Sequence, residues 1–264
     1  MVLGNPYKDP MSTPERRVKY EYSIANDCII PLIKEWGIEL NGKKVLDLGC
    51  GSGGMTVAMA ENGANCLGID HSDMRVIEAN KFAEEKNVSV KFLVHDILDL
   101  KDPFEKYNFI VLAEVVEHLV TESNVEKLLI WCKDHLTQDG YLYLSFPPWF
   151  NPFAGHQAGW QTIRFIPWFH LFPDFFKKII VPSQIENYLH FSKELNHMTI
   201  KSIEKIFDNI DLKCYRKELF VIRPEYYFRY KVPVIRTLKL LSWFPIVEVF
   251  TTGAYFILNK EFVS

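Results

Sequence analysis

Between Lys43 and Phe146 the chain alternates short apolar runs with amphipathic ones, and no other feature narrows its possible folds as far. "KVLDLG" reads as a buried strand and "GMTVAMAENG" as a helix closed by Gly63. "ANCLGID" is a second strand, followed by a helix over "SDMRVIEANKFAEEKN" with Ser72 or Asp73 as its cap. "VSVKFLVHD" and "YNFIVLAEV" supply the third and fourth strands. "TESNVEKLLIWCKDHLTQDG" is an amphipathic helix capped by Thr121 or Ser123, with Gly140 near its end, and "YLYLSF" is a fifth strand. Strands separated by helices pair in parallel through right-handed crossovers, so the expectation is an α/β chain with an open, doubly wound, Rossmann-like sheet. A ligand of such a sheet lies beyond the carboxyl ends of its strands.

The flanks complete a single domain over residues 1–264. A helix at 14–37 has Pro14 near its start and Gly37 at its end. The 43–146 core is followed by an insertion at 147–198 and a C-terminal part at 199–264. That last part reads as the helix "TIKSIEKIFDNI" and the strands "DLKCYRKELFVI" and "TTGAYFILNK". From Phe146 to Phe176, 11 of 31 residues are aromatic and interleaved with prolines, so the insertion is a small hydrophobic subdomain or a lid.

Composition bounds the partners. With 48% hydrophobic residues, 24% charged residues and a net charge of −3, the chain is neither disordered nor an obvious binder of DNA. Five scattered cysteines without CxxC spacing fit reduced thiols and a cytoplasmic setting. The start of the chain lacks the pattern of a secretion signal. The most apolar stretch, "VPVIRTLKLLSWFPIVEVF", is interrupted by Arg236, Lys239, Pro245 and Glu248, which argues for a packed or substrate-side segment and no transmembrane span. Nothing in the sequence sets an oligomeric state.

The turn after the first strand, Gly49-Cys50-Gly51-Ser52-Gly53-Gly54, satisfies a dinucleotide fingerprint, with Asp70 at the expected distance beyond it. Asp47 argues against a dinucleotide. A pyrophosphate seeks bare N–H groups at a helix N-terminus, and a carboxylate beside the turn repels it. S-adenosylmethionine carries an ammonium and a sulfonium instead, and suits an aspartate there. Asp70 ends the second strand where it could accept both ribose hydroxyls. Asp96, in "HDILDL", ends the third where it could accept an adenine amino group, with Ile97 lining the ring.

In this order, "VLDLGCGSGG", "GID", "HDILDL" and "FIVLAEVVEHL" resemble the class I S-adenosylmethionine-dependent methyltransferases, closely over Lys43 to Phe146. The resemblance implies a seven-stranded sheet of order 3-2-1-4-5-7-6 with the last strand antiparallel. It also implies cofactor contacts at Asp47, Gly49, Cys50, Gly51, Asp70, His71, Asp96 and Ile97, with Glu114 near the reactive methyl and S-adenosylhomocysteine as product.

"EVVEHL" spaces Glu114, Glu117 and His118 so that one helical turn would put them on one face. The segment is similar to the ExxEH element of the ubiquinone-pathway O-methyltransferases and the small-RNA 2′-O-methyltransferases. A divalent metal there is possible but not favoured over an acid/base or pocket role for His118 and Glu117. His156, between two glycines of the insertion, is a third catalytic candidate, and His170 a further insertion histidine. The resemblance also implies that Arg17 and Tyr22 of the N-terminal helix could close over the cofactor's carboxylate, though a solvated helix face is the favoured reading. The expected function is methyl transfer to a small molecule, most readily at oxygen. The acceptor would be apolar or aromatic, or, if the basic residues of the insertion and of 223–239 converge, an anionic glycan intermediate. The alternatives are an inactive S-adenosylmethionine-binding partner or sensor and a metal-dependent RNA 2′-O-methyltransferase.

Overall fold

The computed structural model of the chain describes residues 13–100, 104–154, 163, 165–181, 185–238 and 246–260. Eight strands form one sheet: β1 Lys44–Leu48, β2 Asn65–Asp70, β3 Lys91–Val94, β4 Tyr107–Ala113, β5 Leu136–Phe146, β6 Lys213–Ile222, β7 Ile235–Arg236 and β8 Gly253–Asn259. Their order is β3-β2-β1-β4-β5-β8-β6-β7. β1, β2, β3 and β4 pair in parallel, while β8 runs antiparallel to both β5 and β6. The expected seven strands are present in the expected order, with one addition. β7, two residues beside Pro233, pairs with β6 at the sheet edge and is too short for any periodicity to announce.

By contacts the chain divides into two compact units. The first holds β1 to β3, most of β4 and four helices before it. These are α1 Pro14–Ile24, α2 Ile30–Glu35, α3 Gly54–Glu61 and α4 Asp73–Lys86. Thr13 caps α1, its hydroxyl accepting from Arg16 N at 3.3 Å, and Pro14 follows where a missing N–H costs nothing. A single π turn, Ala25–Ile29, joins α1 to α2, so the expected N-terminal helix is one run with a bulge. Ser72 caps α4. Val18 of α1 joins Val57 of α3 and Val76, Ala79, Phe82 and Ala83 of α4 in one apolar cluster with Phe92 of β3.

The second unit contains α5 Glu122–His135, most of β5, and β6, β7 and β8 with α8 Ile200–Asn209. All seven residues of β8 are buried, as befits a strand flanked on both sides. Phe256 of β8 stacks on Phe146 of β5 and meets Phe207 of α8 edge-on. Thr199 and Ser202 close a reciprocal capping box at the start of α8, whose Ile200, Ile203, Ile206 and Phe207 are buried. β5 begins at Leu136, directly after α5, and not at Tyr141 as the turn-like "TQDG" suggests. Leu136 is buried, and a side chain at Gly140 would press on Tyr107 O, so close strand packing overrides the local turn signal.

The insertion has a small core of its own, formed by Ile163, Phe169, Val181, Tyr188 and Leu189, around α6 Asp174–Ile180 and α7 Ile185–Lys193. α6 is turned inside out. Phe175 and Ile179 are 69% and 61% exposed, while Lys177 is only 6% exposed. Among the described residues no helix is long and apolar enough to cross a membrane.

Gly54 fixes how closely α1 approaches α3, because a Cβ there would lie 2.6 Å from Val18 O and from Tyr22 N. Alanine gains about 1 kcal/mol of helix propensity over glycine at most, and little of that at a first helical position. Overpacking against backbone costs about 1–3 kcal/mol. Packing therefore wins. Gly54→Ala lowers stability by about 1–2 kcal/mol in denaturant titrations and speeds tryptic cleavage at Arg16, Arg17 and Lys19; unchanged cleavage would show that α1 does not depend on this contact.

Candidate functional site

In the first unit the β1–α3 turn folds tightly because its glycines adopt a backbone that other residues avoid. Gly49, Gly51 and Gly53 have φ of 74°, 56° and 80°. Gly49 N and Cys50 N donate to Ile69 O at 2.7 and 3.0 Å, which pins the turn to the end of β2. Gly51 N donates to Asp70 Oδ2 at 3.0 Å, and Ser72 N donates to Asp70 Oδ1 at 2.9 Å. Each carboxylate oxygen keeps a further lone pair, so Asp70 can still accept from a diol.

Asp47 is buried beneath the turn and accepts from Thr56 Oγ1 at 2.6 Å. Burial pushes its carboxyl up to about 6; the Thr56 hydroxyl pulls it down, and the Asp70 charge adds to the rise. A third carboxylate, which the sequence reading missed, joins these two. Glu21 of α1 accepts from Gly54 N, and its Oε1 lies 3.5 Å from the place a Cβ on Gly51 would occupy. Its carboxyl rises to about 7, chiefly through burial, with Asp47 adding to the rise and Arg75, the Gly54 N–H and Arg17 opposing it. Arg75 Nη1 stands 3.2 Å from the same Cβ position. The turn is thus ringed by Glu21, Asp47 and Asp70 with one guanidinium beside them. Only the spacing of Asp47 and Asp70 was visible in sequence. Glu21 arrives from a helix 26 residues ahead of β1's Asp47, with no motif around it.

The remaining predicted residues of this unit stand as follows. Cys50 is buried, its thiol pushed well up by burial and by Asp47, Asp70 and Glu21, so it packs as a small hydrophobe. His71 is exposed, with Nδ1 3.7 Å from Asp70 Oδ1. Asp96 is exposed and accepts from Leu98 N at 2.9 Å in the turn after β3, with Ile97 half-buried beside it. Arg17 pairs with Glu78 at 3.7 Å, and Tyr22 donates to Glu61 Oε2 at 2.5 Å.

In the second unit, Glu114, Glu117 and His118 do not share one helical face. Glu114 has φ of 56° and sits outside the single 3₁₀ turn that covers Val116–His118. Ser145 O holds its N–H at 2.9 Å, and Arg223 Nη1, from the end of β6, donates to Glu114 Oε2 at 2.6 Å. Glu117 is buried and His118 exposed, and Asn196 N donates to Glu117 O at 2.7 Å. Among the described residues no three His, Cys, Asp or Glu side chains are grouped as metal ligands. His156 lies outside the described residues. His170 is buried and donates from Nε2 to Trp149 O at 2.8 Å.

Residues 45–140 match the family model of a methyltransferase domain. Two curated relatives are ubiquinone biosynthesis O-methyltransferases. The protein from Actinobacillus pleuropneumoniae is 33% identical over 127 residues, 46% of this chain and 53% of its own length. The protein from Glaesserella parasuis is 36% identical over 112 residues, 40% of this chain and 46% of its own length. The chain thus spans about half the length of the curated relatives it matches. Among solved structures, magnesium protoporphyrin IX methyltransferase from Synechocystis, with bound S-adenosylhomocysteine, superposes with a TM-score of 0.58 at 17% identity. That match covers 98% of this chain and 90% of the other. A putative S-adenosylmethionine-dependent methyltransferase from Listeria monocytogenes gives 0.55 at 20% identity, covering 88% and 97%.

The raised carboxyls of Glu21 and Asp47 make the free protein sensitive to alkali. Their folded pKa values lie above the usual 4.5 and 3.8, so folding binds protons between those values and about 7. Stability from these groups is full below about pH 4 and is lost as pH rises through 6 and 7. Glu21→Gln flattens this loss and stabilises the ligand-free protein at pH 8 by about 1–3 kcal/mol, read from chemical denaturation at pH 5 and pH 8. Equal slopes in the two proteins would mean that Glu21 is not held in this way.

Proposed function

We propose that the chain carries a class I S-adenosylmethionine-dependent methyltransferase domain and acts as an enzyme methylating an oxygen of a small molecule. The observation that carries the cofactor's place is the ring of three carboxylates around the glycine turn. A pyrophosphate would bring further negative charge to a turn where Glu21 and Asp47 already resist ionising. An ammonium or sulfonium relieves both, and Arg75 supplies a partner for a carboxylate. Asp70 would take the ribose hydroxyls through its free lone pairs, and Asp96 and Ile97 would meet the base. When bound, the cofactor supplies a methyl group on a positively charged sulfur.

The protein's own work in such a transfer is positioning, exclusion of water and, where the acceptor is a hydroxyl, removal of one proton. His118 is exposed at the end of the 3₁₀ turn after β4, and we assign it that proton. Glu114 is tied by Arg223 and Ser145 and serves to hold this turn. Glu117, buried next to His118 in the chain, fits the same supporting role better than that of a metal ligand. Oxygen as the target rests on the relatives' names alone, and the cytoplasm on the reduced-thiol composition.

Calorimetric titration tests the reading. S-adenosylmethionine binds and NAD does not, and Asp70→Asn weakens the former at least tenfold, about 1.4 kcal/mol. His118→Ala then keeps cofactor affinity while losing transfer of labelled methyl to hydroxylated acceptors. Binding with no transfer to any acceptor would leave a sensor or partner subunit; binding of NAD alone would sink the assignment.

A further inference from the structure

Within the first unit, two opposite charges converge on one point beside Gly51 without joining each other. The place a Cβ on Gly51 would occupy lies 3.5 and 3.7 Å from Glu21 Oε1 and Oε2, and 3.2 Å from Arg75 Nη1. Neighbours in the chain aside, those three atoms are the nearest to that point, so the space itself is open. Glu21 comes from α1 and Arg75 from α4, both half-buried, and among the described residues no ion pair joins them.

The other charged groups around the turn have partners. Arg17 pairs with Glu78, which also accepts from Ser52 Oγ at 2.6 Å. Asp47 accepts from Thr56, and Asp70 accepts from Gly51 N and Ser72 N. Glu21 accepts from Gly54 N, which leaves most of the lone pairs on its two oxygens unused. Arg75 brings a planar fork of donors suited to a second carboxylate.

Charge alone then selects the ligand. A simple anion drawn to Arg75 would be repelled by Glu21, and a simple cation drawn to Glu21 would be repelled by Arg75. A group with an ammonium and a carboxylate on one carbon satisfies both. The absent side chain at Gly51 is what leaves room for it.

We propose that Glu21 and Arg75 are specificity-determining residues for an α-amino-acid group, Glu21 taking its ammonium and Arg75 its carboxylate, and that binding expels a proton from Glu21 to solvent. S-adenosylmethionine and S-adenosylhomocysteine both end in such a group, so the proposal rests on the cofactor reading above and says which residues outside the glycine motif recognise that end. The proton follows from the surroundings of Glu21. Its carboxyl stands at about 7 in the empty site, raised chiefly by burial and further by Asp47, against Arg75, the Gly54 N–H and Arg17. A ligand ammonium beside it favours the charged form, so affinity falls as pH drops below about 7.

The test is calorimetric titration of the full chain with S-adenosylhomocysteine and two analogues, one without its carboxylate and one without its amino group. Glu21→Gln weakens S-adenosylhomocysteine and the decarboxylated analogue at least tenfold and leaves the deaminated one unchanged. Arg75→Gln does the reverse, weakening S-adenosylhomocysteine and the deaminated analogue and sparing the decarboxylated one. A merely structural role would weaken all three alike, and that result overturns the proposal. Should a variant fail to fold, the wild-type protein decides. In phosphate and Tris at pH 7, whose ionisation heats differ, S-adenosylhomocysteine releases a proton and the deaminated analogue does not; equal release from both overturns the proposal. S-adenosylhomocysteine binding that neither variant alters removes this assignment and keeps the cofactor. Failure of S-adenosylmethionine and S-adenosylhomocysteine to bind at all removes both.

Discussion

Three missing side chains set the geometry of the first unit. A Cβ on Gly53 would lie 2.7 Å from Ala79 Cβ, one on Gly54 would strike the backbone of α1, and one on Gly68 would lie 2.5 Å from Phe92 Cδ1. With hydrogens in those places, α1 and α4 close on the β1–α3 turn, and Phe92 packs across β2. Everything charged around the turn follows from that closeness. Glu21 reaches Gly54 N because α1 has nothing to hold it off, and Arg75 reaches Gly51 because α4 is equally near.

Close packing also explains why the carboxylates there are poised and not inert. Asp47 and Glu21 are taken out of water without a full complement of partners: one hydroxyl for the first, one N–H and nearby guanidinium groups for the second. Burial then dominates over those partners and both carboxyls rise. Asp70 receives two backbone N–H groups. A site arranged in this way favours a cation in the free-energy difference between empty and filled, because the cation restores the charged forms. The same apolar surroundings that raise Cys50 make it filler in the turn, despite its place inside the motif.

The second unit follows another logic. Its β8 is fully covered, whereas α6 of the insertion after β5 keeps its lysine inward and its phenylalanine outward. An aromatic-rich insertion could have folded into a closed plug. The small core around Phe169 and Tyr188 uses only part of its rings, and Trp149 is committed to holding two histidines. Arg223, 109 residues from Glu114, shows how the strand ends are tied together across the sequence.

The sequence by itself determined the α/β class and the glycine turn with Asp47 and Asp70, because these depend on periodicity and on residues that are near one another along the chain, while the strand order came only from what the family resemblance implies. It also placed the starts of two helices, where Ser72 and Thr121 cap through local hydrogen bonds. It failed where local signals are silent or misleading. "TQDG" looks like a turn but pairs as strand, β7 is too short to show a period, and "EVVEHL" spaces its side chains for a helix that Glu114's left-handed backbone breaks. Only the tertiary structure decided that Glu21 joins the turn, that Arg75 meets it there, and that Arg223 takes Glu114. Each of these depends on which distant backbones can approach, and that is settled by packing volume and burial, quantities no short stretch of sequence contains.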